Sequence, residues 1–339
     1  MKLLTALIAL PLLSLPVLAG GIDRTQVDAQ AKWVAHLDIE GFRSTQLFKE
    51  IQAADKEGEI EKGLARIASE HGIQLFEDVY SVTAYGTALG EEHGVVIVRT
   101  NAHAEAALAA AQLKAGAKTL RVGERDCIQW GEGGDAGFSF LRAGTGELRE
   151  VVFAKSQADL GAALEVLDKK RPALDTLPRS DLFPEPAVGT FAYVAASGIL
   201  DELAGPSGHN VQQVSAMARL AKGVRLEIGE VGGGMFLDLR LRTDKPEDAK
   251  RIQRIFDGLL ALPGLMHNDT EGSEVIDRLT QAINVESVNE FAHLRFQYGT
   301  HALFSEIQAL QALGLGEGNP FESLHGGGKH GHKSEEKPK

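Results

Sequence analysis

Apolar and polar positions alternate with a period of two over residues 79–85, and a second strand pattern follows over 94–100, with a glycine-bounded turn between them. A helical pattern then begins at Asn101. A second version of this arrangement occupies residues 223–262: a strand pattern over 223–228, a turn at Gly232, Gly233 and Gly234, a strand over 235–243, and a helix capped at Asp244. The two versions agree best at the strand exit, where Val98-Arg99-Thr100-Asn101 matches Leu241-Arg242-Thr243-Asp244. Self-similarity of this kind predicts two divergent copies of one α+β unit.

The same reading extends along the chain. Residues 32–39 alternate as a strand, with Trp33, Ala35, Leu37 and Ile39 on one face and Val34, His36 and Asp38 on the other. In the strand over 79–85, Tyr80, Val82 and Ala84 oppose Ser81, Thr83 and Tyr85, so one side of the sheet packs inward and the other is wetter. Helices are predicted over 44–54, 60–71 with Gly72 as its stop, 102–114, 157–169, 211–221, 244–262, 274–282 and 300–313. Short strands fall near 120–123, 127–130, 138–142, 151–154, 190–196, 283–288 and 292–298. The predicted fold is therefore α+β, two related halves, each a mainly antiparallel sheet with helices packed on one face.

Residues 3–18 are apolar behind Lys2, broken by Pro11 and Pro16, and end in Val17-Leu18-Ala19 before Gly20. This is the pattern of a signal peptide over 1–19 cleaved after Ala19, which predicts an exported protein, periplasmic or extracellular. No later segment is apolar and long enough to cross a bilayer. The expected layout is a first half over 20–178, a linker over 179–188 inside a proline-rich acidic stretch that starts at Pro172, a second half over 189–315, and a disordered tail rich in histidine, glycine and lysine over 316–339.

A formal charge of −12, without a basic stripe interleaved with aromatics, argues against nucleic acid as a partner. Cys127 is the only cysteine, so an intramolecular disulfide is impossible, and its apolar neighbours predict a small buried hydrophobe. The glycines of 131–137 and 232–234 lie between two strands, where a phosphate-binding loop would need a helix to follow, and read as hairpin turns. No G-x-S-x-G elbow, H-E-x-x-H helix or acidic calcium loop is present. Asp238 and Glu227 are expected on the solvated side of their strands.

Two histidine groups could hold a metal. His36 and Asp38 share a strand face about 7 Å apart, a spacing from which a metal or a proton could be shared with a third group, although the sequence identifies no third ligand. His325, His330 and His332, among glycines in the tail, suit loosely bound Zn, Cu or Ni.

At Lys32-Trp-Val-Ala-His-Leu-Asp-Ile39, Leu75-Phe-Glu-Asp-Val-Tyr-Ser-Val-Thr-Ala-Tyr-Gly86 and Gly94-Val-Val-Ile-Val-Arg99 the chain resembles a group of exported bacterial α+β proteins with no assigned function. The resemblance implies an exported α+β fold and transfers no site residues. The functional expectation is a non-enzymatic binding or scaffolding protein of the periplasm or envelope, its partner protein or ligand undefined. A metal-assisted hydrolase and metal sequestration by the tail are the alternatives.

Overall fold

The computed structural model describes residues 21–55, 58–90, 93–114, 116–131, 136–144, 147–177, 183–198, 217, 219–266 and 271–313. In chain order its elements are β1 (Trp33–Asp38), α1 (Ile39–Ser44), α2 (Gln46–Ala54), α3 (Glu59–His71), α4 (Leu75–Asp78), β2 (Val79–Gly86), β3 (Val95–Thr100) and α5 (Ala102–Lys114). Then follow β4 (Lys118–Val122), β5 (Arg125–Trp130), β6 (Gly137–Ala143), β7 (Arg149–Ala154), α6 (Gln157–Leu167) and β8 (Thr190–Ser197). The remainder comprises β9 (Ala221–Val231), β10 (Gly234–Thr243), α7 (Pro246–Met266), α8 (Glu271–Gln281), β11 (Ile283–Val288), β12 (Phe291–Gly299) and α9 (Thr300–Ala312).

The α+β expectation holds, with the strands joined in one antiparallel sheet of order β11-β12-β10-β9-β8-β1-β2-β3-β7-β6-β5-β4. Its centre is the pairing of β1 with β8, where Ala35 faces Val194 and His36 faces Tyr193. Outward from that pair the order is the same in both directions: β1-β2-β3-β7-β6 on one side, β8-β9-β10-β12-β11 on the other. The first side carries β5 and β4 in addition. Each side therefore places a first strand and two hairpins in the same order, and the two sides share one sheet through β1 and β8.

Local chemistry explains many boundaries. Consecutive positive φ angles at Gly232 and Gly233, 60° and 76°, match the twist of the tight hairpin between β9 and β10. Thr45 separates α1 from α2 by accepting the Phe48 amide at 3.0 Å while donating to the Phe42 carbonyl at 2.6 Å. Gly72, at φ 71°, ends α3 as expected. The capping predicted at Asp244 is replaced by a start at Pro246, whose fixed φ suits the first helical position and whose ring disfavours helical geometry at Lys245. α6 stops at Leu167, two residues early, and Lys169 adopts a positive φ of 59°.

Two cores lie on opposite faces of the sheet. Leu160, Ala163 and Leu164 of α6 pack with Val34, Tyr85, Ile97, Val152 and Ala195 on one face. On the other, Ala249 and Ile252 of α7 pack with Ala292, Val224 and Leu241. The proline-rich stretch that starts at Pro172 contributes to the first core through Leu174 and, within the expected linker, Phe183, and the Leu174 amide bonds to the Val27 carbonyl. Cys127 is buried in the same core. The leader over 1–19, linker residues 179–182, the tail over 316–339 and most of the helix expected over 211–221 lie outside the described residues. Ala221, placed in that helix by the sequence, opens β9 instead.

Candidate binding face

Antiparallel registry assembles long apolar rows on the sheet face that also carries α7. One row reads Leu141, Val151, Val98, Val82, Leu37, Ala192, Ile228, Leu237, Phe296, Ile283 across ten strands. The next contains Phe153, Val96, Ala84, Ala35, Val194, Leu226, Leu239, Leu294 and Val285. Side chains of one parity share a face, so a pattern of alternate apolar residues in every strand becomes a continuous apolar surface.

That surface is not closed. Leu37 and Val194, neighbours at the centre of the sheet, remain 42% and 41% exposed, and Leu141 at the far side 38%. Their apolar neighbours Ala35, Val82, Ala84, Val96, Leu226 and Ile228 are half-buried. Toward the other end Phe296 and Tyr298 stack with ring centroids 5.9 Å apart.

The opposite face holds the polar residues, and there the sequence expectation is corrected. Glu227, expected in solvent, is 1% exposed. It pairs with Arg225 at 2.9 Å and accepts from the Ala187 amide at 2.8 Å and the Thr190 hydroxyl at 3.1 Å. Asp238 is half-buried and lies 2.7 Å from His293 Nε2 and 3.0 Å from Arg240 Nε. Burial pushes its carboxyl up, but the bonds from His293 and Arg240 outweigh burial and hold it at about 2 against an ordinary 3.8. On the other side of the ring, His293 Nδ1 lies 2.9 Å from Arg295 Nη2 and 3.4 Å from Glu286. Both ring nitrogens are thus engaged by charged partners. A histidine so held braces an ion network.

His36 and Asp38 do share this second face and are each 6% exposed. They are turned to separate tasks. His36 Nδ1 lies 2.8 Å from the Thr83 hydroxyl, while Asp38 caps α1 by accepting the Gly41 amide at 2.8 Å. Burial raises the Asp38 carboxyl above its ordinary 3.8, only partly offset by that amide. Among the described residues no group of three or more His, Cys, Asp or Glu side chains could hold a metal ion. His325, His330 and His332 lie outside the described residues.

The open apolar centre was not legible from any motif. Its only signal was the alternation that puts Leu37, Val194 and Leu226 on matching faces, and registry was needed to align them.

No protein-family model matches the chain, and no curated protein matches it. Among solved structures, crystal form III of TP0453 aligns over 85% of this chain and 99% of its own, at 12% identity and a TM-score of 0.44. Crystal forms I and IV align over the same 85%, each at 10% identity, with TM-scores of 0.38 and 0.41, covering 98% and 97% of their own chains. Similarity at this level assigns neither a family nor an activity, and the functional reading rests on the residues. Among the described residues no helix is long and apolar enough to cross a membrane.

Proposed function

We propose that the chain is an exported, non-catalytic binding module of the periplasm or cell envelope, and that it docks its partner on the apolar sheet face around Leu37 and Val194. The observation that carries this reading is the exposure of those two residues at the middle of rows that are apolar almost from edge to edge. Contiguous apolar surface left open to water is characteristic of an interaction site. Completing the burial of such half-open side chains yields about 1 kcal/mol each, so a partner covering the central rows gains usable affinity from them. The engaged nitrogens of His293 and the capping role of Asp38 support a binding role over a catalytic one. Export is supported by the residue pattern over 1–19.

The test uses the double variant Leu37→Glu, Val194→Glu. The native protein is expected to bind an anilinonaphthalene sulfonate dye saturably and to retain a partner from envelope extract. The variant should lose at least fivefold in dye affinity, lose the partner, and keep a thermal midpoint within a few degrees, because neither side chain is in a closed core. Dye affinity and partner capture unchanged by the double variant would refute the assignment. Export is checked separately: protein recovered from the periplasmic fraction should begin at Gly20.

A further inference from the structure

On the face opposite the apolar rows, the end of β2 and the start of α6 line a partly open cavity of about 110 Å³. Its walls include Asp28, Tyr85, Thr87, His93, Asp159 and Arg171, with Ala162 and Ala163 among its apolar lining. Tyr85 is 3% exposed, and its hydroxyl has no hydrogen-bond partner among the described residues. Asp28, Arg171 and Asp159 line the same cavity as Tyr85. An orphaned hydroxyl at this depth forfeits about 1 to 3 kcal/mol unless something in the cavity bonds to it.

The other polar groups of the wall are largely committed, and their commitments define what fits. Asp28 accepts the Gln30 amide at 2.8 Å and pairs with Arg171 at 2.6 Å, and Arg171 also donates to the Gln30 side chain at 2.7 Å. The guanidinium is thereby held and neutralised by Asp28. Asp159 receives the Ser156 hydroxyl on Oδ2 at 2.7 Å, in the reciprocal cap that starts α6, and this leaves Oδ1 as an acceptor. Two carboxylates against one guanidinium give the wall a formal charge of −1. Tyr85 can accept through its oxygen as well as donate.

We propose that this cavity is a binding site for a small primary ammonium ion, held by Asp159 Oδ1 and the Tyr85 hydroxyl. Two hydrogens of an ammonium match these two acceptors, and the cation neutralises the residual charge. A metal ion fits less well, because no cluster of three ligating side chains forms among the described residues. A single water needs only about 10 to 15 Å³, so the space admits an organic cation of a few heavy atoms. The site belongs to one copy of the repeat and lies on the other face from the proposed docking surface, so either assignment can fail without the other.

The experiment is calorimetric titration of the full mature chain with methyl-, ethyl-, propyl- and butylammonium chloride at constant ionic strength. Tetramethylammonium, acetate and calcium serve as counter-probes. Saturable millimolar binding is expected for the ethyl and propyl ions, weakened about tenfold by Tyr85→Phe and by Asp159→Asn. Both variants keep the ring or side-chain volume, and their unliganded thermal midpoints should stay close to that of the native chain. Three results overturn the proposal: no saturable binding of any primary amine, which leaves a hydrated cavity; equal affinity for tetramethylammonium; or binding untouched by Tyr85→Phe. Acetate or calcium binding at this site in place of the amines overturns it as well.

Discussion

Glu227 and Asp238 face each other across β9 and β10, and Arg225 faces Arg240 one step along. Like charges placed directly opposite are destabilising, and here each is neutralised along its own strand, Glu227 by Arg225 and Asp238 by Arg240. The two pairs answer differently to perturbation because their burial differs. Glu227→Leu strands the Arg225 guanidinium in the interior, and urea unfolding should show a loss of about 3 to 5 kcal/mol. Adding Arg225→Met to that variant should recover most of it. For Asp238 the folded-state value lies below the ordinary one, so the ionised form stabilises the fold above pH 3.8, and that contribution disappears as the pH falls toward 2. Asp238→Asn should therefore cost about 2 kcal/mol near neutral pH, with the difference from the native protein closing between about pH 4 and pH 2 in acid titrations of unfolding.

At the scale of elements, glycine spacing governs how β8, β9 and β10 lie together. Gly189 has a φ of 84°, and a side chain at Gly229 would meet the Gly189 carbonyl oxygen and the Phe236 ring, each at 2.4 Å. The register shifts between Thr190 and Ala192 at the same place. The Phe236 ring covers the bare backbone of its cross-strand partner Gly229, which a larger residue would displace. Gly229→Ala is expected to destabilise by about 1 to 3 kcal/mol through overpacking, measured by urea unfolding, while Gly232→Ala should act only through its positive φ because nothing lies near its side-chain position. The helices were largely legible beforehand: α5 begins and ends where its alanine-rich pattern does. The exceptions had local causes absent from periodicity, such as Pro246 overriding the Asp244 cap and a residue with positive φ following α6.

For the whole molecule the decisive contact is β1 against β8. β1 is hydrogen-bonded to β2 of its own copy and to β8 of the other, so neither copy can unfold without exposing a sheet edge of its twin. Leu174 and Phe183, from the stretch joining the copies, are sealed in the first core. Heat unfolding is expected to be a single cooperative transition with calorimetric and van't Hoff enthalpies in agreement. Two resolved transitions would mean that the copies are energetically separate.

By itself the sequence determined much of the strand and helix pattern and the α+β class, because periodicity and turn residues act over a few neighbours and survive in any context. It could not determine which face of each strand would be covered. On β2 the face of Ser81, Thr83 and Tyr85 is the more buried, and the apolar partners of Leu37 on the reverse face are the more open. Which face is covered follows from where α6, α7 and the segment around Leu174 come to rest. Burial is a property of what packs against a residue from far along the chain, and alternation records only that two faces differ.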